Sequence, residues 1–348
     1  MAEEPSIEQV VGRVQSRFKD LRDRAAMTEA SRKLGDISTA VAGLPGEIEK
    51  LRDRGYAFAG YLTARAESLQ TQWGEVRGSI EDQVRTEMVQ LKGLIGKVDP
   101  LMTRLGMAGG KAEAVQQLAV QVEGQFASLE DEIDHAEERI QGLYGTLERD
   151  VNEIRQKLSK FNWYMDMVSE AGFKLGATEA IYIVAKGEWV KTGKGKDDPD
   201  GLFYLTDQRL IFERKEKEGG FLGFGGKKVQ GIEWEVPLGN IGSVSAEKKG
   251  LFGGKDMVTF EFTSGGPGSP TTIEVKGGIN ANWYAQQVER AKAGDIDQER
   301  AVQVDPAVLE RVKNAPSACP SCGAPFTTPI TQGMSQLACE YCGEVVRI

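Results

Sequence analysis

Histidine is nearly absent from this sequence. His135 is the only imidazole in 348 residues. Its neighbours Asp131, Glu132, Asp134, Glu137 and Glu138 place it on a solvated helix face, and no serine or second histidine is spaced with it to form a triad. Cysteine is missing from the first 318 residues, and no cysteine outside two Cys-x-x-Cys pairs remains as a nucleophile. Long apolar runs are missing too. A membrane span needs about 18 or more apolar residues, whereas Ala180–Ala185 is only strand-sized. There is no basic excess: 43 Lys+Arg face 52 Asp+Glu, a net charge of −9. That balance opposes non-specific nucleic-acid binding, which needs clustered cations to release counterions. The start, Met1-Ala-Glu-Glu-Pro5-Ser6, lacks the basic flank and apolar core of a signal peptide. The expectation is a cytoplasmic protein, peripheral at the inner membrane face if it meets a membrane at all. With no base, nucleophile or open metal site visible, an enzyme is not expected.

The length suggests about two to three domains, and the composition changes sharply along the chain. Residues 1–175 hold only three prolines and are rich in Glu, Gln, Arg, Ala and Leu. Residues 176–295 hold 22 of the 42 glycines and the β-branched and aromatic runs. Residues 316–348 carry four prolines and all four cysteines.

The first stretch reads as long helices at about 6–43, 46–98 and 111–170. Ser6 and Gln9 form a capping box, and Ile7, Val10, Val14, Phe18 and Leu21 follow as an apolar stripe. Pro45 is expected to end this region, since proline removes a donor and clashes with the preceding turn. A second stripe includes Leu62, Leu69, Trp73, Ile80, Val84, Met88, Leu91 and Ile95, and is expected to stop at Asp99-Pro100. A third runs from Val115 through Val122, Phe126, Leu129, Ile133, Ile140, Leu143, Leu147 and Ile154 to Met165. Steps of three and four sustained this long are a coiled-coil pattern. Two long antiparallel helices joined near Gly106–Lys111 are expected, with self-association favoured over a bundle within one chain. The same Gly106–Lys111 segment is not a phosphate loop. Three residues rather than four separate the glycines, and Ala112 follows the lysine where a hydroxyl is needed.

The C-terminal motif is the most specific. Cys319-Pro-Ser-Cys322-Gly323 and Cys339-Glu-Tyr-Cys342-Gly343 each turn two thiolates toward one point. The following glycine permits the left-handed turn. Four thiolates at this spacing fit one tetrahedral, structural zinc with no open position. The segment 324–338 between the pairs is expected to form a short hairpin. These knuckles resemble the zinc ribbon family, which implies a fold and a metal. With only Arg347 against Glu340 and Glu344, the ribbon lacks a basic footprint for nucleic acid.

The middle stretch alternates as strands do, at 180–185, 202–206, 208–215, 231–237, 241–247, 257–263 and 271–276. A helix follows from about Asn280 to Ala293, with Trp283, Ala285, Val288 and Ala291 or Lys292 on its inner face. The run Gly201-Leu-Phe-Tyr-Leu-Thr-Asp-Gln-Arg-Leu-Ile-Phe212-Glu213, then Val236-Pro-Leu-Gly-Asn-Ile241, Val244, Lys248-Lys-Gly-Leu-Phe252 and Trp283, resembles the bacterial pleckstrin-homology-like, GRAM-type domain. The resemblance implies a seven-stranded, strongly bent sheet closed by one helix, and a role in binding lipids or proteins. Two hairpin tips carry apolar residues flanked by lysines: Phe221, Leu222 and Phe224 with Lys227 and Lys228, and Leu251 and Phe252 with Lys248, Lys249 and Lys255. They are the candidate membrane- or partner-binding loops.

The sequence thus reads as a multidomain α+β chain: a helical region (1–175), a pleckstrin-homology-like domain (176–295), a linker with a short helix that lets the ribbon move (296–315), and a zinc ribbon (316–348). The expected role is a non-enzymatic scaffold or adaptor that self-associates and binds a membrane surface or protein. Alternatives are a membrane-remodelling helical assembly similar to phage-shock proteins, or a nucleic-acid-associated regulator using the ribbon.

Overall fold

The computed structural model describes residues 6–108, 111–194, 197–218, 227–250 and 254–348, with 217, 218, 227 and 228 described by backbone alone. Two compact units result, Met1–Glu47 with Thr63–Lys157, and Ile48–Leu62 with Leu158–Ile348.

Four long helices dominate the first 170 residues: α1 (Ile7–Ala25), α2 (Thr28–Asp53), α3 (Tyr61–Met107) and α4 (Ala112–Ser169). The Ser6–Gln9 capping box is present. Two expected breaks are corrected. Helix one ends at Ala25, not near Pro45, because Met27 takes a left-handed φ of 50° and turns its side chain into the core. Pro45 lies inside α2 and Pro100 inside α3. An interior proline costs about 3 kcal/mol. Burying Val41, Leu44, Ile48 and Leu51 around Pro45 offsets that, since each fully buried side chain contributes roughly 1.5–3 kcal/mol. Val98 and Leu105 flank Pro100 in the same way. The reversal between the first and second helical runs therefore falls at residues 54–60, where Gly55 supplies a φ of 95°.

In the first unit these helices form a three-helix bundle. The ion pairs Arg13–Glu123, Arg17–Glu130, Arg24–Glu137 and Lys33–Glu148 set α1 and α2 parallel to α4. Arg65–Glu153 and Arg139–Glu87 set α3 antiparallel to it. Exposed pairs contribute little each, so the buried stripes supply the stability and the charges select the register. The stripes, expected to seek another chain, are buried within this one. Phe126 is fully buried and its ring stacks on Phe18 at 5.7 Å. Two stripe positions are corrected by one residue: Tyr144 is buried where Leu143 is exposed, and Glu87 is buried beside a half-buried Met88. Glu87 is held by Arg139 Nε at 2.8 Å, Arg139 Nη2 at 2.9 Å and Gln83 Nε2 at 2.9 Å.

The second unit holds seven antiparallel strands: β1 (Ile181–Val190), β2 (Asp200–Thr206), β3 (Arg209–Glu218), β4 (Lys227–Pro237), β5 (Ile241–Lys249), β6 (Lys255–Phe262) and β7 (Thr271–Val275). Their order is β4-β3-β2-β1-β7-β6-β5. The sheet bends until Trp234 on β4 meets Phe262 on β6, ring centroids 6.0 Å apart. Gly187 and Gly201, opposite each other in register, make the bend sterically feasible. A Cβ on Gly187 would come within 2.6 Å of the Phe203 ring, and one on Gly201 within 2.7 Å of the Phe212 ring.

Helix α5 (Ala281–Ala293) closes the sheet beside β5 and β6, capped by the Asn280 side chain accepting from the Trp283 amide and by left-handed Gly294. Its inner face is Ala281, Tyr284, Ala285, Gln287, Val288 and Ala291. Ala285, Val288 and Ala291 lie there as expected, but Trp283 is 39% exposed, because Tyr284 is the residue in phase with Val288 and Ala291. A short helix α6 (Pro306–Asn314) and a two-stranded ladder, β8 (Gln336–Ala338) and β9 (Val345–Arg347), complete the chain.

Two outcomes are expected in this bundle. Phe126→Ala should lower stability by roughly 3–5 kcal/mol in urea unfolding followed by the helical circular-dichroism signal. A loss under about 1 kcal/mol would contradict the packed Phe18–Phe126 layer. The Arg139 guanidinium holds the Glu87 carboxyl below its ordinary range. A depressed carboxylate adds stability above its unfolded pKa and loses it as pH falls through the folded value. Glu87→Gln should therefore cost about 1 kcal/mol at pH 7, discounted for the half-exposed Arg139. The difference from wild type should shrink below pH of about 4, and a pH-independent difference would contradict the ion pair.

Candidate functional site

The four cysteines converge at the C-terminus. Each Cys-x-x-Cys closes a tight turn: the Gly323 amide donates to the Cys319 carbonyl and the Gly343 amide to the Cys339 carbonyl, both at 2.9 Å, with φ of 74° and 76° at the glycines. All four Sγ atoms lie within 4.8 Å of one another. The Cys319–Cys342 and Cys322–Cys339 Sγ separations are 3.6 Å, too long for a disulfide at about 2.05 Å. Tetrahedral Zn–S bonds of about 2.3 Å require sulfurs roughly 3.8 Å apart. The donor set therefore fits one zinc ion, held by Cys319, Cys322, Cys339 and Cys342. The amides of Cys342 and Tyr341 favour the Cys339 thiolate and bring its pKa down to about 7. The hairpin here is β8 with β9, which brackets the second knuckle. It is not confined to the segment between the pairs, as expected, because the Cys339 amide bonds to the Glu344 carbonyl and draws the two flanks together.

The ribbon does not hang on a mobile linker. Gly176 and Thr331 form an antiparallel bridge. The Ala177 amide donates to the Ile330 carbonyl at 2.9 Å and the Gln332 amide to the Leu175 carbonyl at 3.0 Å. Gln332 Nε2 donates to the Glu179 carbonyl at 2.8 Å. The long loop between the cysteine pairs thus pairs with the strand-like segment that leads into β1.

The hairpin tips are only partly in view. Phe221, Leu222, Phe224, Leu251 and Phe252 lie outside the described residues, and Lys227 and Lys228 are placed as backbone of β4. Lys248 is exposed, Lys249 pairs with Glu247 and Lys255 with Glu274. The strand register places the described flanks of the two hairpins. Glu218 and Lys227 leave the sheet at the end where β1 finishes. Lys249 and Lys255 leave it at the end where β7 finishes. β1 and β7 are antiparallel neighbours, so the described flanks of the two hairpins, Glu218 with Lys227 and Lys249 with Lys255, leave the sheet at opposite strand ends.

A second feature was not anticipated from the sequence. The last turns of α4, the outer face of β1 and the β7–α5 turn enclose a groove of about 650 Å³. It is lined by Lys160, Lys186 and Lys276, the indoles of Trp163 and Trp283, and the Gly277-Gly278 backbone, and its lining contains no acidic side chain. Lys160 Nζ lies 5.1 Å from the Trp283 ring centroid and Lys186 Nζ 5.6 Å from that of Trp163. The sequence signal was Gly277-Gly278 before the Asn280 cap. Lys160 and Trp163 on α4 carried no such signal.

No protein-family model matches the chain, and no curated protein matches it. Among solved structures, a DUF1696 family protein with a pleckstrin-homology domain from Shewanella loihica PV-4 is 18% identical at a TM-score of 0.22, over 34% of this chain and 83% of its own. A pleckstrin homology domain from Shewanella amazonensis SB2B is 17% identical at 0.21, over 34% and 89%. The ternary complex between human RhoA, its inhibitor and the DH/PH domain of human ARHGEF11 matches at 11% identity and 0.28, over 83% and 94%. The seven-stranded sheet and its single closing helix are those that the sequence resemblance implies.

Purified protein is expected to carry about one zinc per chain. Cys339→Ser should abolish retention and expose residues 316–348 to limited proteolysis. A zinc-free chain whose C-terminus resists protease would contradict the metal centre.

Proposed function

We propose that this chain is a non-catalytic adaptor: a pleckstrin-homology-like recognition module of GRAM type carried with a three-helix bundle and stiffened by a structural zinc ribbon. The observation that carries this reading is the backbone pairing of the ribbon loop with residues 175–177. It builds the ribbon onto the sheet domain and makes the metal centre a brace, a role suited to recognition and not to turnover. The closed four-thiolate donor set fits the same role, since a catalytic zinc keeps a position open.

The surface addressed is an anionic membrane, and the β5–β6 tip is the contact. Leu251 and Phe252 on that tip would each gain roughly 1.5–3 kcal/mol when fully buried. Lys248 has no carboxylate partner among the described residues, and a lysine near an anionic surface adds about 1 kcal/mol. The β3–β4 segment with Phe221, Leu222 and Phe224 is left for a protein partner. Self-association, a coiled-coil pairing of chains and a phage-shock-like polymer lose their main support, because the stripes that motivated them are buried within one chain.

Co-sedimentation of the full chain with anionic and neutral vesicles tests this. Wild type and a Phe221→Ser/Leu222→Ser/Phe224→Ser variant are expected to pellet with anionic vesicles, and a Leu251→Ser/Phe252→Ser variant to stay in solution. Absence of wild-type binding at low salt, or equal loss in both variants, would overturn the assignment.

A further inference from the structure

The groove between the α4 tail and the β7–α5 turn gathers three lysines and two indoles, with no acidic side chain in its lining. Within the groove, Lys276 is neutralised by Glu188 at 2.8 Å and Asp200 at 2.6 Å. Lys160 and Lys186 have no carboxylate partner among the described residues; each is set against an indole face. A cation–π contact leaves the ammonium charge unneutralised. Lys160 and Lys186 are both exposed, so a ligand can reach them from solvent, and partial desolvation lowers the Lys160 pKa. Such a site is a cation pair without its counter-ion, in a protein whose net charge is −9.

We propose that this groove binds a phosphomonoester attached to a flat apolar body, with Lys160 and Lys186 engaging the phosphate and the indoles of Trp163 and Trp283 walling the body. Two uncompensated ammonium groups match the charge of about −1.5 to −2 on a phosphomonoester at pH 7. A single carboxylate would leave one ammonium unmatched. The volume of about 650 Å³ lies within the range of small-molecule sites. Gly277 and Gly278, at φ of 75° and 77°, face open space where a Cβ would meet nothing within 4 Å. The turn backbone is therefore approachable by ligand oxygens. The inference is independent of the hairpin tips and of the membrane reading.

Calorimetric titration of the full chain with phenyl phosphate, phenol and inorganic phosphate tests it. Phenyl phosphate is expected to bind saturably, about tenfold or more tighter than either half. Lys160→Gln/Lys186→Gln should weaken it about tenfold or more at an unchanged melting temperature, while Lys160→Arg/Lys186→Arg retains binding. The Leu251→Ser/Phe252→Ser variant should bind phenyl phosphate like wild type, which separates this site from the proposed membrane contact. Phosphatidic acid vesicles that displace phenyl phosphate would assign the phosphomonoester to a lipid; vesicles that do not would assign it to a soluble metabolite. No saturable binding by wild type, undiminished binding by the folded Gln variant, or equal binding of a tetraglutamate peptide would each overturn the proposal, the last in favour of an acidic protein segment.

Discussion

The seating of one short turn on the outer face of β1 sets the geometry of the second unit. Residues 54–60 reverse the chain between α2 and α3, and their carbonyls would be orphaned by so tight a path. Arg52 resolves this, its guanidinium donating to the carbonyls of Tyr56, Phe58 and Ala59. Ala59, held in a left-handed φ of 59°, is fixed by the same contacts. The turn then presents two rings. Tyr56 stacks on Phe161 at 4.6 Å and donates its hydroxyl to the Tyr182 carbonyl, and Phe58 meets the Tyr182 ring at 5.1 Å. Arg300, paired with Asp207, covers the other side of Phe58. The 299–302 segment adds backbone bonds, Gly60 amide to Glu299 carbonyl and Ala301 amide to Ala57 carbonyl. Burial in this cluster pushes the Tyr182 phenol up to about 12, so it stays a neutral donor to Gln287 on α5.

This cluster fixes where the α4 tail lies, and the α4 tail forms one wall of the groove. Phe161 and Tyr164 face the cluster, so Lys160 and Trp163 are turned toward β1 and the β7–α5 turn by the helical period alone. The groove thus follows from aromatic packing on the neighbouring helix face. A change at Tyr56 or Phe161 would act on it through position and not through contact.

Much of this was legible from residue order. Alternation in the Gly-rich stretch placed every strand within a few residues, since each has one face against a single core. The four thiolates were legible because tetrahedral geometry leaves few alternatives at that spacing. What misled was local chemistry opposed by packing. Pro45 and Pro100 carry a strong breaking signal, and buried neighbours on both sides outweigh it. Met27 carries none, yet it ends a helix. Narrow stripes at 3.5-residue spacing were read as a seam for a second chain. Stripe width does not say whether the covering helix comes from the same chain. The groove was illegible for a related reason: its lysines come from α4, β1 and the β7–α5 turn, distant in sequence, and each taken singly is an ordinary surface residue.

The ribbon and the groove have in common how they use charge. Four thiolates are stable together only around a divalent cation, and the fold gathers them where backbone amides already favour the anion. Lys160 and Lys186 are the converse, two cations gathered where the fold supplies indole faces and open glycine backbone but withholds carboxylates. An acidic chain with 52 Asp and Glu has carboxylates available nearly everywhere. Glu188 and Asp200 reach the rim and are spent on Lys276. The two remaining ammonium groups meet indole faces and no carboxylate in the lining, which leaves them open to an external anion, and the two indoles restrict which anions fit beside them.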